Sequence, residues 1–300
     1  MEKCLAFVFG GGGARGALQV GAMRALLEAG LKPDLLVGTS IGAVNATGLA
    51  LWGTDTTGIE TLRGAYQRVA DSRIMDPRLA RFAISALSRH PNHRASRRIQ
   101  EFLIAEGITP DLRFSQIPNV RLAVIGADLD SGETVIYGLD PEQSVLEGVM
   151  ASIALPPWFA PIEKQGHCIV DGGALSNLPI EPALTLGATE IIALDLEDPD
   201  GMLGVENTHS QYLEKLVFAI TQRQVRLETA LASARGVPVK HVSLRSPPPV
   251  PIWDFRNHRE LFKIGYETMI REISGWLPDI QTESVRSGIN MESQRSWISA

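Results

Sequence analysis

Three glycine-rich turns constrain the fold of this chain more than any other feature of its sequence. In chain order they read Gly11-Gly12-Gly13-Ala14-Arg15-Gly16, Gly38-Thr39-Ser40-Ile41-Gly42 and Asp171-Gly172-Gly173. Each follows a short apolar run, and each offers a different chemical group: bare backbone amides, a serine hydroxyl and a carboxylate. Oxyanion donors, a nucleophile and a base are the parts of an acyl-transfer site.

The first turn has a predicted strand before it and a predicted helix after it. Leu5-Ala6-Phe7-Val8-Phe9 is too short for a helix and rich in β-forming residues, which indicates a buried strand. From Ala17 to Ala29 apolar residues recur at helical spacing, and Gly30 is a suitable C-cap. A glycine loop at a helix N-terminus presents unpaired N–H groups, which bind anions.

The second turn lies in the same setting. Leu35-Leu36-Val37 predicts a short strand, and a helical stretch opens at about Ala43. The pattern G-x-S-x-G between a strand and a helix is typical of a nucleophile elbow, in which glycines allow a tight turn and the serine hydroxyl lies at its tip. Ser40 is therefore the candidate nucleophile.

The first glycine loop also allows a dinucleotide-binding interpretation. Gly11, Gly13 and Gly16 have the spacing of the dinucleotide fingerprint, which needs an acidic residue for the ribose about twenty residues further on. Glu28 falls within the predicted first helix and Asp34 precedes the second strand, so neither lies at that strand's end. The nucleotide site is the less favoured alternative.

Taken together and in this order, the three motifs resemble those of the patatin-like phospholipases. Residues 151–161 resemble the family's segment before the catalytic acid, and Asn177 and Pro179 follow the acid as they do in the family. Residues 127–133 are similar to its central strand pair and residues 261–267 to its closing helix. The similarity runs from about residue 4 to the high 270s.

This resemblance implies a serine–aspartate dyad. Ser40 would attack the ester carbonyl, and Asp171 would take its proton directly. A carboxylate is a weak base at its ordinary pKa of about 4. Partial burial after the apolar run 168–170 would raise that pKa toward neutrality.

The resemblance also implies an oxyanion hole in the first loop, formed by the amides of Gly11, Gly12, Gly13 and Ala14. Gly12 and Gly13 are the favoured pair, with the Ile41 amide as an addition by analogy with other elbow enzymes. Arg15 either meets the substrate or holds the loop. The residues that support the three motifs are Arg15, Gly16, Gly38, Gly42, Gly172 and Gly173. The family needs no cofactor, and no segment here resembles a calcium loop.

Two alternatives concern the base. Asp171-Gly172 could form a simple hairpin turn. A histidine could complete a triad, because elbow hydrolases place an acid and then a histidine after the serine. His209, His241 and His258 all follow Asp171, but none lies in a pattern that predicts a loop at a strand's carboxyl end. We therefore expect structural roles for them, and for His167 a role in bracing the strand before Asp171.

The alternation of strands and helices predicts a three-layer α/β/α sandwich around a mostly parallel sheet. Further strands are expected near residues 120–127, 133–137, 167–170, 190–194 and 238–243. Helices at about 58–71, 76–88 and 94–106 form a helical insertion (about 55–110) after the nucleophile helix, which we interpret as a cap over the cleft. Residues 1–277 are predicted to form a single acyl hydrolase domain, and residues 278–300 a loosely held polar tail.

Composition limits the binding partners and the cellular location that we expect for this chain. With 28 basic and 34 acidic residues, the 300-residue chain gives no general case for binding nucleic acid. No Cys/His cluster has the spacing of metal ligands, and Cys4 and Cys168 are expected to be buried thiols, not a disulfide. A membrane span needs about 20 apolar residues, and every apolar run in this sequence is much shorter. The N-terminal apolar run is also too short for a signal peptide. A cytoplasmic location is expected, and nothing indicates the oligomeric state.

One charged region lies in the helical insertion. It comprises Arg89, His90, His93, Arg94, Arg97 and Arg98. Such a cluster could make transient contact with anionic headgroups at a membrane surface, each basic residue contributing about 1 kcal/mol. The alternative is a solvated helix start that tolerates several arginines.

Two classes of function therefore compete. One is a lipid acyl hydrolase that cleaves carboxylic esters of phospholipids, lysophospholipids or acylglycerols through an acyl-enzyme. The other is a non-catalytic regulator that keeps the fold and binds a partner. The presence of Ser40, Asp171 and the complete glycine loop favours the first class, because a scaffold has no chemical need for all three.

Overall fold

A mixed β-sheet forms the centre of the molecule. The computed structural model describes residues 3–72, 93–156, 158–196, 209–248 and 250–276. The strands of this part are β1 (Leu5–Phe9), β2 (Leu35–Thr39), β3 (Arg121–Asp128), β4 (Thr134–Tyr137), β5 (Ile162–Lys164), β6 (His167–Asp171), β7 (Glu190–Asp195) and β8 (Val239–Ser243). Their order in the sheet is β5-β6-β3-β2-β1-β7-β8, and β4 pairs with β3.

The strands that carry the predicted site run parallel to one another, apart from the one that carries the acid. Strands β3, β2, β1, β7 and β8 are parallel, whereas β4 and β6 are antiparallel to β3, and β5 is antiparallel to β6. A parallel strand is covered on both faces, which explains the unbroken apolar run of β1. Phe7 and Phe9 face one core of the protein, and Ala6 and Val8 face the other.

Helices cover both faces of the sheet. They are α1 (Gly16–Glu28), α2 (Ile41–Trp52), α3 (Thr56–Asp71), α4 (His93–Ala105), α5 (Val145–Ser152), α6 (Ile180–Thr185), α7 (His209–Ala234) and α8 (His258–Trp276). Helices α1, α2, α3 and α8 contribute to one core, and α6 and α7 to the other. The predicted three-layer α/β/α arrangement is confirmed.

Most of the predicted strands and helices are present, but the structure also contains several that the sequence did not predict. The predicted strands correspond to β1–β4 and β6–β8, while the three-residue β5 and helices α5, α6 and α7 were not predicted. Helices α3 and α4 correspond to two of the three helices expected in the insertion. The helix expected at 76–88, the residues Arg89 and His90, and the tail 278–300 lie outside the described residues.

Helix α3 belongs to the core of the protein. Its side chains Ile59, Leu62 and Tyr66 are buried in the same cluster as α1 and α2. A covering role over the cleft could therefore belong only to the part of the insertion after Asp71.

Two further predictions concern cysteines and membrane spans. Cys4 and Cys168 are free thiols, as predicted, but both are only half-buried, whereas burial was expected. None of the helices in the described part of the chain has the combination of length and apolar composition that a membrane span requires.

Candidate active site

Ser40 lies on a strained turn between β2 and α2. Its backbone angles are φ 56° and ψ −126°, a positive φ that residues other than glycine rarely adopt. Such strain costs of order 1–3 kcal/mol and persists only where the surroundings enforce it. Here close backbone contacts enforce it. A Cβ atom on Gly38 would lie 2.3 Å from the Gly42 carbonyl oxygen, and one on Gly42 would lie 2.3 Å from that of Phe9.

Ser152 supports the elbow from α5. The Ser40 amide donates to the Ser152 Oγ at 2.9 Å, and the Ser152 hydroxyl donates to the Ile125 carbonyl oxygen at 2.6 Å. Ser152 is fully buried. It lies within the segment 151–161 that resembles the family, but nothing in the sequence assigned it a contact with the nucleophile.

The sheet register brings Asp171 level with Ser40. Thr39 pairs with Ile125, and the next residue of β3, Gly126, pairs with Asp171 of the antiparallel β6. The Asp171 carboxylate accepts a hydrogen bond from the Gly173 amide at 2.8 Å. The Ser40 side chain lies close enough to Asp171 to lower the pKa of this carboxyl. The two predicted catalytic side chains are thus neighbours.

Burial changes the acidity of this carboxyl. Asp171 is only 3% exposed, and this desolvation raises the pKa of Asp171 to about 6. The Ser40 side chain and the hydrogen bond from the Gly173 amide lower this pKa, but their effects are smaller. The tight turn after Asp171 needs glycine, because a Cβ atom on Gly172 would lie 2.3 Å from the Ile125 carbonyl oxygen. An Asp171 with a pKa near 6 is ionised at neutral pH and more basic than an ordinary aspartate.

The first glycine loop lies directly over the elbow. A Cβ atom on Gly11 would lie 3.1 Å from the Ser40 Cβ. The Gly11 amide donates to the Asn177 carbonyl oxygen (3.0 Å) and the Ala14 amide to that of Ile252 (2.7 Å). Both amides are therefore occupied within the protein, although the sequence included them among the oxyanion donors.

The amides of Gly12 and Gly13 remain open. Within the described part of the chain, neither of them donates a hydrogen bond. The Ile41 amide, at the first position of α2, also has no partner inside its own helix. The candidate oxyanion donors are therefore the amides of Gly12 and Gly13, which the sequence favoured, and the amide of Ile41.

Arg15 contacts the loop, since its Nε donates to the Gly12 carbonyl oxygen at 3.2 Å. This bond favours a role in holding the loop, and contact with the substrate stays a prediction. Gly16 lies where the first glycine loop packs against the elbow. A Cβ atom there would lie 2.5 Å from Ile41 Cγ1 and from the Tyr66 hydroxyl, so this close approach requires glycine.

A buried polar network beneath the loop was not predicted. Gln19 donates through Nε2 to the Gly10 carbonyl oxygen at 2.9 Å. Asn45 donates to the Gly16 carbonyl oxygen (3.0 Å) and to the Gln19 Oε1 (2.9 Å), and the Tyr66 hydroxyl donates to the Asn45 Oδ1 (3.0 Å). These side chains come from α1, α2 and α3, so only the folded structure brings them together. They satisfy buried backbone groups and thereby fix the loop.

The loop after Asp171 is held from helix α7. Glu228 accepts a hydrogen bond from the Ser176 hydroxyl at 2.7 Å and one from the Glu181 amide at 2.7 Å. Gln224 donates to the Ala174 carbonyl oxygen at 2.8 Å. Burial raises the pKa of Glu228 to about 7. Because α7 was not predicted, the sequence gave no indication of this clamp.

The described histidines outside the insertion bond to groups other than the dyad. His241 Nε2 lies 2.9 Å from Asp195 Oδ2, His167 Nδ1 lies 2.7 Å from Asp128 Oδ2, and His258 Nδ1 lies 2.8 Å from the Phe255 carbonyl oxygen. The side chain of His209 is outside the described residues. None of the three described contacts supports a triad.

One group of possible metal ligands was not indicated by sequence spacing. Ligand atoms of Asp128, Asp130 and His167 lie within 4.8 Å of one another. The Ser131 hydroxyl donates to Asp128 (2.7 Å) and the Cys168 amide to Asp130 (2.7 Å). These hydrogen bonds account for the arrangement as a polar turn, so we assign no metal to it.

One cavity in the described part of the structure is not lined by the dyad. Its volume is about 400 Å³, and it lies between α4, α5 and residues 159–162. Phe159 is one of the residues that line it.

Comparison with known proteins agrees with this geometry. A family model described as patatin-like phospholipase matches residues 7–184. Patatin-like phospholipase domain-containing protein 7 of Mus musculus is 29% identical over 202 residues, which cover 66% of this chain and 14% of that protein. An uncharacterized NTE family protein of Mycobacterium tuberculosis is 32% identical over 194 residues, which cover 65% of this chain and 30% of that protein.

Among solved structures, VipD from Legionella pneumophila superposes with a TM-score of 0.44 at 16% identity, covering 91% of this chain and 67% of that one. The chain matches only 14% and 30% of the length of the two curated relatives named above. The family model, however, covers more than half of the chain and includes all three glycine-rich turns. The chain therefore belongs to the patatin-like phospholipase family.

Proposed function

We propose that this chain is a lipid acyl hydrolase that cleaves carboxylic esters of phospholipids, lysophospholipids or acylglycerols. The observation that carries the proposal is that the strained elbow and the sheet register bring Ser40 beside the buried Asp171 carboxylate. Family membership supports a lipid ester as the substrate class. Residues 1–277 would form the acyl hydrolase domain.

In the acylation step, Asp171 accepts the Ser40 proton while the Ser40 Oγ forms a bond to the ester carbonyl carbon. The carbonyl oxygen becomes an oxyanion, and the amides of Gly12 and Gly13 stabilise it. Each donor of this kind contributes about 3–4 kcal/mol in well-studied cases. The carbon–oxygen bond to the alcohol then breaks. The leaving alkoxide takes the proton back from Asp171, and an acyl-Ser40 ester remains.

In the deacylation step, Asp171 accepts a proton from water, and the resulting hydroxide attacks the acyl carbon. The same amides stabilise the second oxyanion. The bond to Ser40 breaks, the Ser40 Oγ recovers a proton from Asp171, and a free carboxylic acid leaves. The steps use the chain's own groups and water.

A labelling experiment tests this proposal. The full chain is treated with a fluorophosphonate ester probe and the adduct is located by peptide mass spectrometry. We expect an adduct on Ser40, none at this position in Ser40→Ala, and sharply slowed labelling in Asp171→Asn. Ser115→Ala, which removes an exposed serine elsewhere, is the matched control and should label at the wild-type rate.

Three other outcomes would contradict the proposal in different ways. Full-rate labelling of Asp171→Asn would exclude the dyad and return the histidines to consideration. No adduct on folded wild type, with no ester turnover, would favour the non-catalytic regulator. A rise in melting temperature with NAD or FAD would favour the dinucleotide interpretation, because a ligand that binds only the folded state stabilises it.

A further inference from the structure

Helix α7 extends well beyond the sheet on which it packs. It has 26 residues, about 39 Å of helix, whereas the adjacent strand β7 has six residues, about 20 Å. Among the side chains that the structure describes on this helix, the buried ones are Thr221, Val225, Glu228 and Ala232, from the middle of the helix onward. None of the described side chains between residues 212 and 220 is buried. The first half of α7 therefore projects from the body.

The projection extends past the edge of the sheet at which Ser40 lies. Helix α7 ends at Ala234, close to the start of β8, so it runs antiparallel to the parallel strands. Gln224 contacts Ala174, three residues after Asp171, at the level of the dyad. Residues 212–220 continue from there for up to about 18 Å beyond the edge that carries Ser40.

Large apolar side chains on this helix are exposed to solvent. Tyr212 is 57% exposed, Leu216 55%, Val217 63%, Ile220 48% and Leu227 51%. Helical spacing places Tyr212, Leu216, Ile220 and Leu227 on one side of the helix, within an arc of roughly 80° that faces away from the buried side chains, and places Val217 outside that arc. We name the four residues within the arc the α7 stripe. Exposed apolar residues that share one face mark an interaction surface, unlike single scattered ones.

Basic residues accompany the stripe. Between residues 212 and 227, the charged side chains that the structure describes are Lys215, Arg223 and Arg226, and all three are exposed. The chain as a whole has a net charge of −6, so this positive charge is local. An apolar face with basic residues beside it is typical of a helix that lies in the interface of an anionic bilayer, where long basic side chains reach the headgroups.

We propose that the α7 stripe and its basic flank dock on the surface of an anionic phospholipid bilayer. Docking there would turn the edge that carries Ser40 toward the bilayer. The inference rests on the proposed function only in that a bilayer would supply the substrate. A second copy of the chain fits the surface less well, because a symmetric helix pair would bring basic flanks together with no described acid between them.

Vesicle sedimentation of the full chain carrying Ser40→Ala tests docking without any catalytic readout. The two vesicle types are phosphatidylcholine alone and an equal mixture of phosphatidylcholine and phosphatidylserine. We expect binding to the mixed vesicles that weakens with added salt, and little binding to phosphatidylcholine alone. Leu216→Gln/Ile220→Gln should lower the partition coefficient at least about tenfold.

Two further variants separate the contributions. Arg223→Gln/Arg226→Gln should lower binding to mixed vesicles alone and reduce its salt dependence. Leu139→Gln removes an equally exposed apolar side chain outside α7 and should bind as the parent does. Because all the substituted side chains are exposed, the melting temperatures should remain within a few degrees of the parent.

The proposal is overturned if Leu216→Gln/Ile220→Gln binds mixed vesicles as well as the parent. It is also overturned if the parent is a dimer in solution that this variant converts to a monomer, which would assign the stripe to a second copy. Turnover of a short, soluble ester by chains with intact Ser40 separates this proposal from the proposed function. If docking alone is wrong, that turnover persists, and if hydrolysis alone is wrong, vesicle binding persists.

Discussion

The two regions that form the candidate site are fixed in different ways. The elbow, from β2 to α2, is fixed by backbone packing, since Gly38 and Gly42 lie where no Cβ atom fits. The acid region, from β6 to α6, also has a glycine with no room for a Cβ atom, Gly172, but its loop is held in addition by Glu228 and Gln224 of the distant helix α7. Substitution of the elbow glycines should therefore have all-or-none effects, whereas substitution of the side chains that hold the acid loop should have graded effects.

The largest combined loss of turnover and stability is expected from Gly42→Ala. Its new Cβ atom would lie 2.3 Å from the Phe9 carbonyl oxygen, so either β1 or the elbow must move. We expect at least about a hundredfold loss of ester turnover and a loss of several kcal/mol in the free energy of unfolding, measured by urea titration. Gly275→Ala is the control for replacing a glycine, because no atom lies within 4 Å of a Cβ atom there and its φ is not positive. Full activity in Gly42→Ala would show that the elbow is not fixed by packing.

Asp171→Asn should abolish turnover and stabilise the protein at the same time. The pKa of Asp171 is about 6 in the folded state against an ordinary value of 3.8, so the ionised carboxylate opposes folding. The destabilisation is absent below about pH 4, grows as pH rises, and is complete above about pH 6, where it amounts to at most about 3 kcal/mol.

Melting curves of Asp171→Asn and wild type at pH 4 and pH 8 test whether ionisation of Asp171 destabilises the fold. The variant should melt higher than wild type at pH 8, and the difference should shrink at pH 4. The asparagine side chain that this substitution introduces can still accept the Gly173 hydrogen bond. A variant that melts lower than wild type at pH 8 would mean that the carboxylate is stabilised in the fold, and that it is no general base.

An intermediate effect is expected for Ser152→Ala, because Ser152 links the elbow to β3. It removes the acceptor of the Ser40 amide and leaves that group without its hydrogen bond. We expect a loss of about 1–3 kcal/mol in stability and about a tenfold fall in turnover. Ser144→Ala removes the cap of the same helix without touching the elbow, so it should lose about 1 kcal/mol and keep its turnover. Equal turnover in both variants would exclude a positioning role for Ser152.

The smallest effect on turnover is expected for Glu228→Gln. The pKa of Glu228 is about 7 in the folded state against an ordinary value of 4.5, so its ionisation destabilises the fold as pH rises through this window. The variant should therefore gain about 1 kcal/mol in stability over wild type at pH 8 and gain nothing at pH 4. Turnover should fall at most about threefold. A large loss of turnover would mean that the carboxylate charge itself serves the site.

The contrast between the regions also explains how much the sequence could predict. Strand β1, Ser40 and its flanking glycines are local features, because a fully buried parallel strand and a tight turn need particular residues at adjacent positions. Ser152 and Glu228 could not be found in this way. Their roles depend on contacts across the sheet, and a serine in a helix or a glutamate in a helix has no distinctive pattern.

Helix α7 was missed for a physical reason. It carries apolar residues on its buried side, such as Val225, and also on its exposed side, such as Leu216 and Ile220. Because apolar residues lie on both sides of the helix, its sequence lacks the single apolar stripe at helical spacing on which a prediction depends. Likewise, only the folded structure could reduce the set of candidate oxyanion donors. The sequence cannot show that the amides of Gly11 and Ala14 already donate hydrogen bonds within the protein.

The pH dependence of Ser40 labelling tests the central claim most directly. The rate of fluorophosphonate labelling is measured from pH 4.5 to pH 9 on wild type and Asp171→Asn, with the adduct located by mass spectrometry. Since Asp171 must be ionised to accept the proton, the wild-type rate should rise through a midpoint near pH 6, and the variant should be slow with no such rise. A rise that survives in Asp171→Asn would assign the base to another residue and contradict the dyad.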